Sequence, residues 1–409
     1  MTKRKILRGA TVYDGTGSPP SRLDIAIEGE RISELGTSLT GGDVVDLRGA
    51  SIIPGLIDCH VHVSMENADL TRWLAQPFSY QFFLAAQNLR KTLHAGVTTV
   101  RDAGGADLGI KRAVEDGLIE GPRMQIAINM ISQTGGHGDE WNPSGVTAGF
   151  FAEHPGRPAA IADGEAEARK VARLMLRAGA DVLKIASTGG VLSPADDPRH
   201  SEFSTKEIIT FVEEARAAGA SVMSHAQGSN GIKNAIRAGV RSIEHGVFLD
   251  DEAIDLMLEY DVWLVPTLKA PLDVLSAAER GISIEASQLD KCSMLIDAHR
   301  ESFARAIKAG VRIAMGTDSG LVGHGENLGE LALMREYGMA PAEVLRAATS
   351  SAAELLGAEH DIGTIAPGRY ADLLVVRAGS DPYDFDELPQ AISQVWKAGA
   401  PAWTNPSGV

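Results

Sequence analysis

Two imidazoles stand two residues apart in Ile57-Asp58-Cys59-His60-Val61-His62, at the end of an apolar run. In an extended chain alternate side chains share a face, so His60 and His62 can bind one metal ion together. The same spacing also arises by chance in chains that bind none. His225 and His245 end two further apolar runs and are separated by about one βα unit. Each could instead be a core histidine bonded to a carbonyl, but four histidines at strand ends are harder to explain that way than one.

Asp318, in Ala314-Met-Gly-Thr-Asp318, ends another such run. A carboxylate there can bind the metal held by His60 and His62 and can accept a proton from metal-bound water. The competing role is an N-cap of the next helix, with Ser319 as its rival. Lys184 ends an apolar strand inside this ring of prospective ligands. Desolvation and nearby cations favour its neutral amine, which can take up carbon dioxide. The resulting carbamate has two oxygens suited to bridging two metals; the alternative is a lysine paired with a carboxylate.

These residues must be positioned by a repeating phrase: a helical stretch ends in Ala-Gly, a Val/Ile-rich run follows, and a polar residue closes it. The instances begin at Ala95-Gly96, Ala178-Gly179, Ala218-Gly219, Ala238-Gly239 and Ala309-Gly310. Each Gly suits a left-handed helix C-cap, and each run suits a buried parallel strand. Strand candidates at 56–60, 124–129 and 262–266 raise the number to eight, which predicts a (β/α)8 TIM barrel over residues 55–361. In that fold the site lies at the strand C-termini. Short strands and tight turns in 1–54 and 362–409 predict a small β-sandwich domain built by both chain ends.

Net charge bounds the partners. With 38 Lys and Arg against 54 Asp and Glu, the formal charge is −16, spread along 409 residues. Neither nucleic acid nor an anionic membrane surface is an expected partner. Cys59 and Cys292 are the only cysteines and lack CxxC spacing, so a disulfide framework and a thiolate zinc site are excluded and a reducing cytoplasm is expected. The basic N-terminus is not followed by an apolar export segment, and the aromatic stretch from Trp73 to Leu89 is too polar to span a bilayer.

Taken together, these motifs resemble the amidohydrolase superfamily, in the branch with two metals bridged by a carbamylated lysine. The resemblance covers nearly the whole chain: the Pro54-Gly-Leu-Ile-Asp-Cys-His-Val-His62 run, the Lys184 strand, His225, Ser242-Ile-Glu-His-Gly246, Gly316-Thr-Asp318 and the Gly363 to Leu373 segment. Within it the chain looks most like the Xaa-Pro dipeptidase (prolidase) and imidazolonepropionase-related metallohydrolases, which include hydrolases of N-acylated amino acids. The resemblance implies His60, His62 and Asp318 on one metal, His225 and His245 on a second, and carbamylated Lys184 between them. Zinc is the expected ion for such a ligand set.

His137, in Thr134-Gly-Gly-His-Gly138, matches a substrate-contacting histidine of that group and can polarise a scissile carbonyl; a plain loop histidine is the alternative. Relatives that cleave a free C-terminal residue commonly carry a tyrosine two positions after the fifth-strand histidine. Gln227 stands there and can bind a carboxylate or an amide. The expected reaction is hydrolysis of an amide C–N bond in a dipeptide-like or N-acyl amino acid substrate by a metal-bridging hydroxide, with Asp318 moving the proton. A cyclic amide, carbamate or urea is the first rival substrate class, and a catalytically silent metal-binding protein the second. A small-molecule substrate and further copies of the chain are the expected partners.

Overall fold

The computed structural model describes residues 4–406 apart from 68, 70, 71, 74, 140, 142, 143, 148–150, 194, 195 and 322; the outermost residues of the expected end domain, 1–3 and 407–409, lie outside the described residues. Both ends of the chain enter one eight-stranded sheet. Its strands are β1 (Lys5–Val12), β2 (Ser21–Glu28), β3 (Arg31–Gly36), β4 (Asp43–Asp46) and β5 (Ser51–Pro54) from the front. Late in the chain come the strands Leu373–Val376, Ile392–Lys397 and Ala400–Thr404. Strand Leu373–Val376 joins the halves by pairing antiparallel with β5, Leu374 opposite Ile53. Residues of β1 and β5, such as Leu7, Val12 and Ile52, pack with Leu373 and Trp396 in a core of their own.

Between these ends, strands are parallel and buried on both faces, as expected where helices cover a sheet. Strands β6 (Leu56–Val61), β7 (Val97–Asp102) and β8 (Arg123–Ile126) pair in that order. Strands β9 (Met130–Ile131), β10 (Val182–Ala186), β11 (Ser221–Ala226), β12 (Ser242–His245) and β13 (Trp263–Val265) form a second parallel set. The three late strands are β14 to β16 in chain order. Helices Gly164–Ala178, Ser229–Ala238 and Ala286–Ala309 end on Gly179, Gly239 and Gly310 in the left-handed conformation, as the Ala-Gly phrase predicts. Helix residues Val171, Phe211 and Ile236 pack with strand residues Leu183, Val222, Ile243 and Leu264 in the largest core cluster.

Two strand expectations need correction. The candidate at 124–129 stops at Ile126, the end of β8, and extended chain resumes only beyond it as β9 at Met130, with Ile128 at a positive φ of 71° between them. The run after Gly310 forms no regular strand. Single parallel bridges join Leu264 to Ile313 and Val61 to Ser319. The reason is local: the Asp58 carboxylate takes the Thr317 N–H at 3.1 Å and its hydroxyl at 2.7 Å, and Asp318 turns to a φ of 61°. Among the described residues no helix is long and apolar enough to cross a membrane.

Candidate metal centre

The ends of the parallel strands converge on one cavity, lined by His60, His62, His137, Lys184, His225, Gln227, His245 and Asp318. Every site residue expected from the sequence therefore lies in one place. It encloses about 780 Å³, open solvent at the mouth included, within the range of small-molecule sites. Its walls are otherwise largely apolar, with Met65, Met130, Phe151, Leu192, Leu295 and Leu321.

Each of the four strand-end histidines has one ring nitrogen tied to the protein. His60 Nδ1 donates to Glu244 Oε2 at 2.8 Å, His62 Nδ1 to the Gly104 carbonyl at 2.8 Å, and His225 Nε2 to the Gly189 carbonyl at 3.1 Å. His245 Nδ1 meets the Thr267 hydroxyl at 2.7 Å. One anchored nitrogen orients the ring and leaves the other as a lone-pair donor, which is how protein-held metal ligands are arranged. The rings are close, with centroids 5.0 Å apart for His60 and His245 and 4.6 Å for His225 and His245.

Asp318 completes a group in which the ligand atoms of His60, His62 and Asp318 all lie within 4.8 Å of one another. Its Oδ1 is 3.4 Å from His60 Nε2 and 3.2 Å from His62 Nε2, yet is buried without a hydrogen bond of good direction. A buried carboxylate oxygen without a partner carries a desolvation penalty, and a cation between these three atoms would remove it. The donor set fits a divalent metal. Burial opposes ionisation of Asp318, but His60 and His62 outweigh it and bring the carboxyl down to about 2. Asp318 caps no helix; the next one starts at Gly329.

Lys184 is 1 % exposed, and its Nζ lies 3.5 Å from His60 Nε2. Burial depresses its ammonium to about 8, against the pull of Glu244 and Asp318. Burial likewise drives His60, His225 and His245 well below the usual imidazole range, which favours the neutral form that ligates a metal. His245 and Asp318 both adopt positive φ, 72° and 61°. Such backbone costs roughly 1–3 kcal/mol per residue and concentrates at functional sites.

Sequence reasoning missed the supports. Glu244 also accepts from Arg101 at 3.0 Å, and Arg101 bonds the Cys59 carbonyl at 2.7 Å. His324 donates to the His62 carbonyl at 3.2 Å and meets the Thr92 hydroxyl. His299 holds the His245 carbonyl at 3.0 Å. Gly190 is required at the mouth: a Cβ there would fall 2.1 Å from the His137 ring. The Glu244 carboxylate, one residue before His245 in the Ser-Ile-Glu-His run, was the one support whose position in the sequence could have signalled it.

A parallel-strand scaffold gathering histidines, a lysine and an aspartate around one cavity defines a class of metal-dependent hydrolases, and comparison with known proteins agrees. The sequence pattern of the amidohydrolase family matches residues 51–402. An ochratoxinase from Aspergillus niger is 34 % identical over 362 residues, covering 85 % of this chain and 75 % of that protein. The structure of a Xaa-Pro dipeptidase with bound methionine in its active site superposes with a TM-score of 0.89 at 32 % identity, covering 98 % of this chain and 100 % of the other. A prolidase complexed with N-methylphosphonate-L-proline gives 0.90 at 33 % identity, with the same coverage. The chain belongs to the amidohydrolase family and is a hydrolase acting on carbon–nitrogen bonds.

Proposed function

We propose that the chain is a binuclear metal hydrolase that cleaves the amide bond of a dipeptide-like or N-acyl amino acid substrate. The observation that carries this reading is the set of four histidines, each with one nitrogen anchored to the protein, around an Asp318 Oδ1 that is buried beside His60 and His62 without a well-directed hydrogen bond. His60, His62 and Asp318 would hold one ion, His225 and His245 the other. Lys184 would bridge them as a carbamate, and its ammonium depressed to about 8 supplies the neutral amine that carbon dioxide needs. Two zinc ions, when bound, supply Lewis acidity that polarises the carbonyl and brings water to its reactive form near neutral pH.

The chain's own residues do the rest. Asp318 takes the proton of the attacking water and returns it to the leaving nitrogen as the tetrahedral adduct collapses. His137 faces the carbonyl oxygen as charge develops there. Gln227 lines the cavity with a buried Oε1 that lacks a hydrogen-bond partner, which suits it to hold a polar group of the substrate. The relatives named for ochratoxin and for Xaa-Pro dipeptides support this substrate class. For the scaffold we propose a (β/α)8 barrel over 55–361, closed by the bridges at Ile313 and Ser319, and a β-sandwich domain from 1–54 and 362–409. We further place the enzyme in the cytoplasm as a homo-oligomer.

The test is a screen of dipeptides and N-acyl amino acids against the zinc-loaded protein, with cyclic amides, carbamates and ureas alongside. Turnover confined to the latter group would overturn the substrate class. Absence of any turnover by the metal-loaded protein would favour a silent binding protein.

A further inference from the structure

Resting on the role of His137 just proposed, the loop after β10 shows what holds that ring. His137 Nδ1 lies 2.8 Å from the Ser193 hydroxyl and 3.2 Å from Asp196 Oδ2. Asp196 Oδ2 also accepts the Gly190 N–H at 2.8 Å. Its other oxygen meets Lys291 Nζ at 3.1 Å. The same ammonium, from helix Ala286–Ala309, binds the carbonyls of Asp196 at 2.6 Å, Ser193 at 2.9 Å and Gly190 at 3.1 Å. One lysine thus fastens the segment that faces His137. On its other side the ring stacks on His225, with centroids 4.3 Å apart and planes at 25°.

The donor and acceptor inventory then fixes the tautomer. An ionised carboxylate only accepts hydrogen bonds. Burial works to raise the Asp196 pKa, and the bonds from His137, Ser193 and Gly190 outweigh it, bringing it to about 2. A lone pair on His137 Nδ1 would face that carboxylate at 3.2 Å and be repelled, so Nδ1 carries hydrogen and the Ser193 hydroxyl passes its own to Asp196. The geometry points to Asp196 as the positioning residue for His137: it accepts the hydrogen bonds that begin at Nδ1–H, so that the Nε2 edge of the ring is the one turned to the cavity. With one face stacked on His225 and Nδ1 held by Ser193 and Asp196, the aim of the ring at the substrate depends on Asp196.

The experiment is a double-mutant cycle on the zinc-loaded full chain, with the nitrogen NMR spectrum of ¹⁵N-histidine-labelled protein as a second readout. Asp196→Asn keeps the shape but can donate to Nδ1. We expect kcat/KM to fall roughly 10–100-fold in the wild-type background, the usual loss for a group that orients an active-site side chain. The loss should fall mainly on kcat, with metal content unchanged. In the His137→Ala background the same substitution should change kcat/KM by less than about 2-fold, since two groups acting as one unit are not additive. Equal losses in both backgrounds would mark Asp196 as merely structural and overturn the inference. The spectrum of the wild type, assigned against His137→Ala, should show hydrogen on Nδ1; an unprotonated Nδ1 overturns it even if Asp196→Asn folds too poorly to assay. If His137→Ala keeps full activity, the carbonyl role of His137 falls, while the spectrum still decides what Asp196 does to the ring.

Discussion

His60 and Glu244 are joined across the interior by a 2.8 Å hydrogen bond from Nδ1 to Oε2, with both side chains at or below 1 % exposure. Glu244 is in turn neutralised by Arg101 and bonded by the Ser242 hydroxyl. A buried charge without these partners would be strongly destabilising. The arrangement makes a carboxylate in β12 the orienting partner of a proposed metal ligand in β6.

Replacing Glu244 by Gln should loosen that orientation while nearly preserving volume. Metal affinity or activity should fall roughly 10–100-fold. Competition with a chelator, followed by metal analysis, measures it. Wild-type metal retention and turnover would show that His60 needs no such anchor.

Lys184→Ala removes the proposed bridge, and most activity should go with it. Added acetate or propionate should restore part of the rate, because a small carboxylate can occupy the place of the proposed carbamate beside His60. Unimpaired turnover without added acid would refute the bridging role.

Asp318→Asn separates ligation from proton transfer. The amide keeps a neutral oxygen near His60 and His62 but cannot take a proton. Activity should drop roughly 10²–10⁴-fold, the range for a general acid–base group, while metal content falls much less. Near-normal turnover with both metals bound would pass the proton role to another group, His137 first.

Deleting residues 362–409 should strip β14 from β5 and expose a strand edge whose residues Ile52 and Ile53 are wholly buried in the intact chain. Unpaired edges aggregate. The expected product is insoluble on sedimentation; a soluble and fully active truncation would show the two ends to be independent.

How much of this is written in the sequence can be argued residue by residue. His60, His62, His225, His245 and Asp318 were legible because each closes an apolar run, and parallel strands bring such ends to one side; Lys184, expected at a strand end, lies instead in the middle of β10 with Ile185 and Ala186 after it, its side chain still lining the cavity. Glu244 was signalled only by its place beside His245, since its partner lies 184 positions earlier and only the tertiary fold brings β6 and β12 together. Asp196 and Lys291 were hidden for the same reason: they meet through a loop and a helix nearly a hundred residues apart. The positive φ of Ile128 and Asp318 was equally invisible. Propensity disfavours it there, and tertiary bonds such as those of Asp58 to Thr317 override propensity. The joining of both chain ends in one sheet was legible from matching strand texture, but not the partners: β14 on β5 is set by buried Leu374 and Ile53.

The central claim is a site that works with two metal ions, and restoring activity to metal-free protein tests it most directly. Zinc is added in known equivalents, in the presence of bicarbonate, while hydrolysis of the best amide from the substrate screen is followed. Two groups of ligands, His60 with His62 and Asp318, and His225 with His245, predict a rise that levels off at two zinc ions per chain, with elemental analysis giving the same ratio. Full activity at one ion per chain, unchanged by a second, would contradict the account.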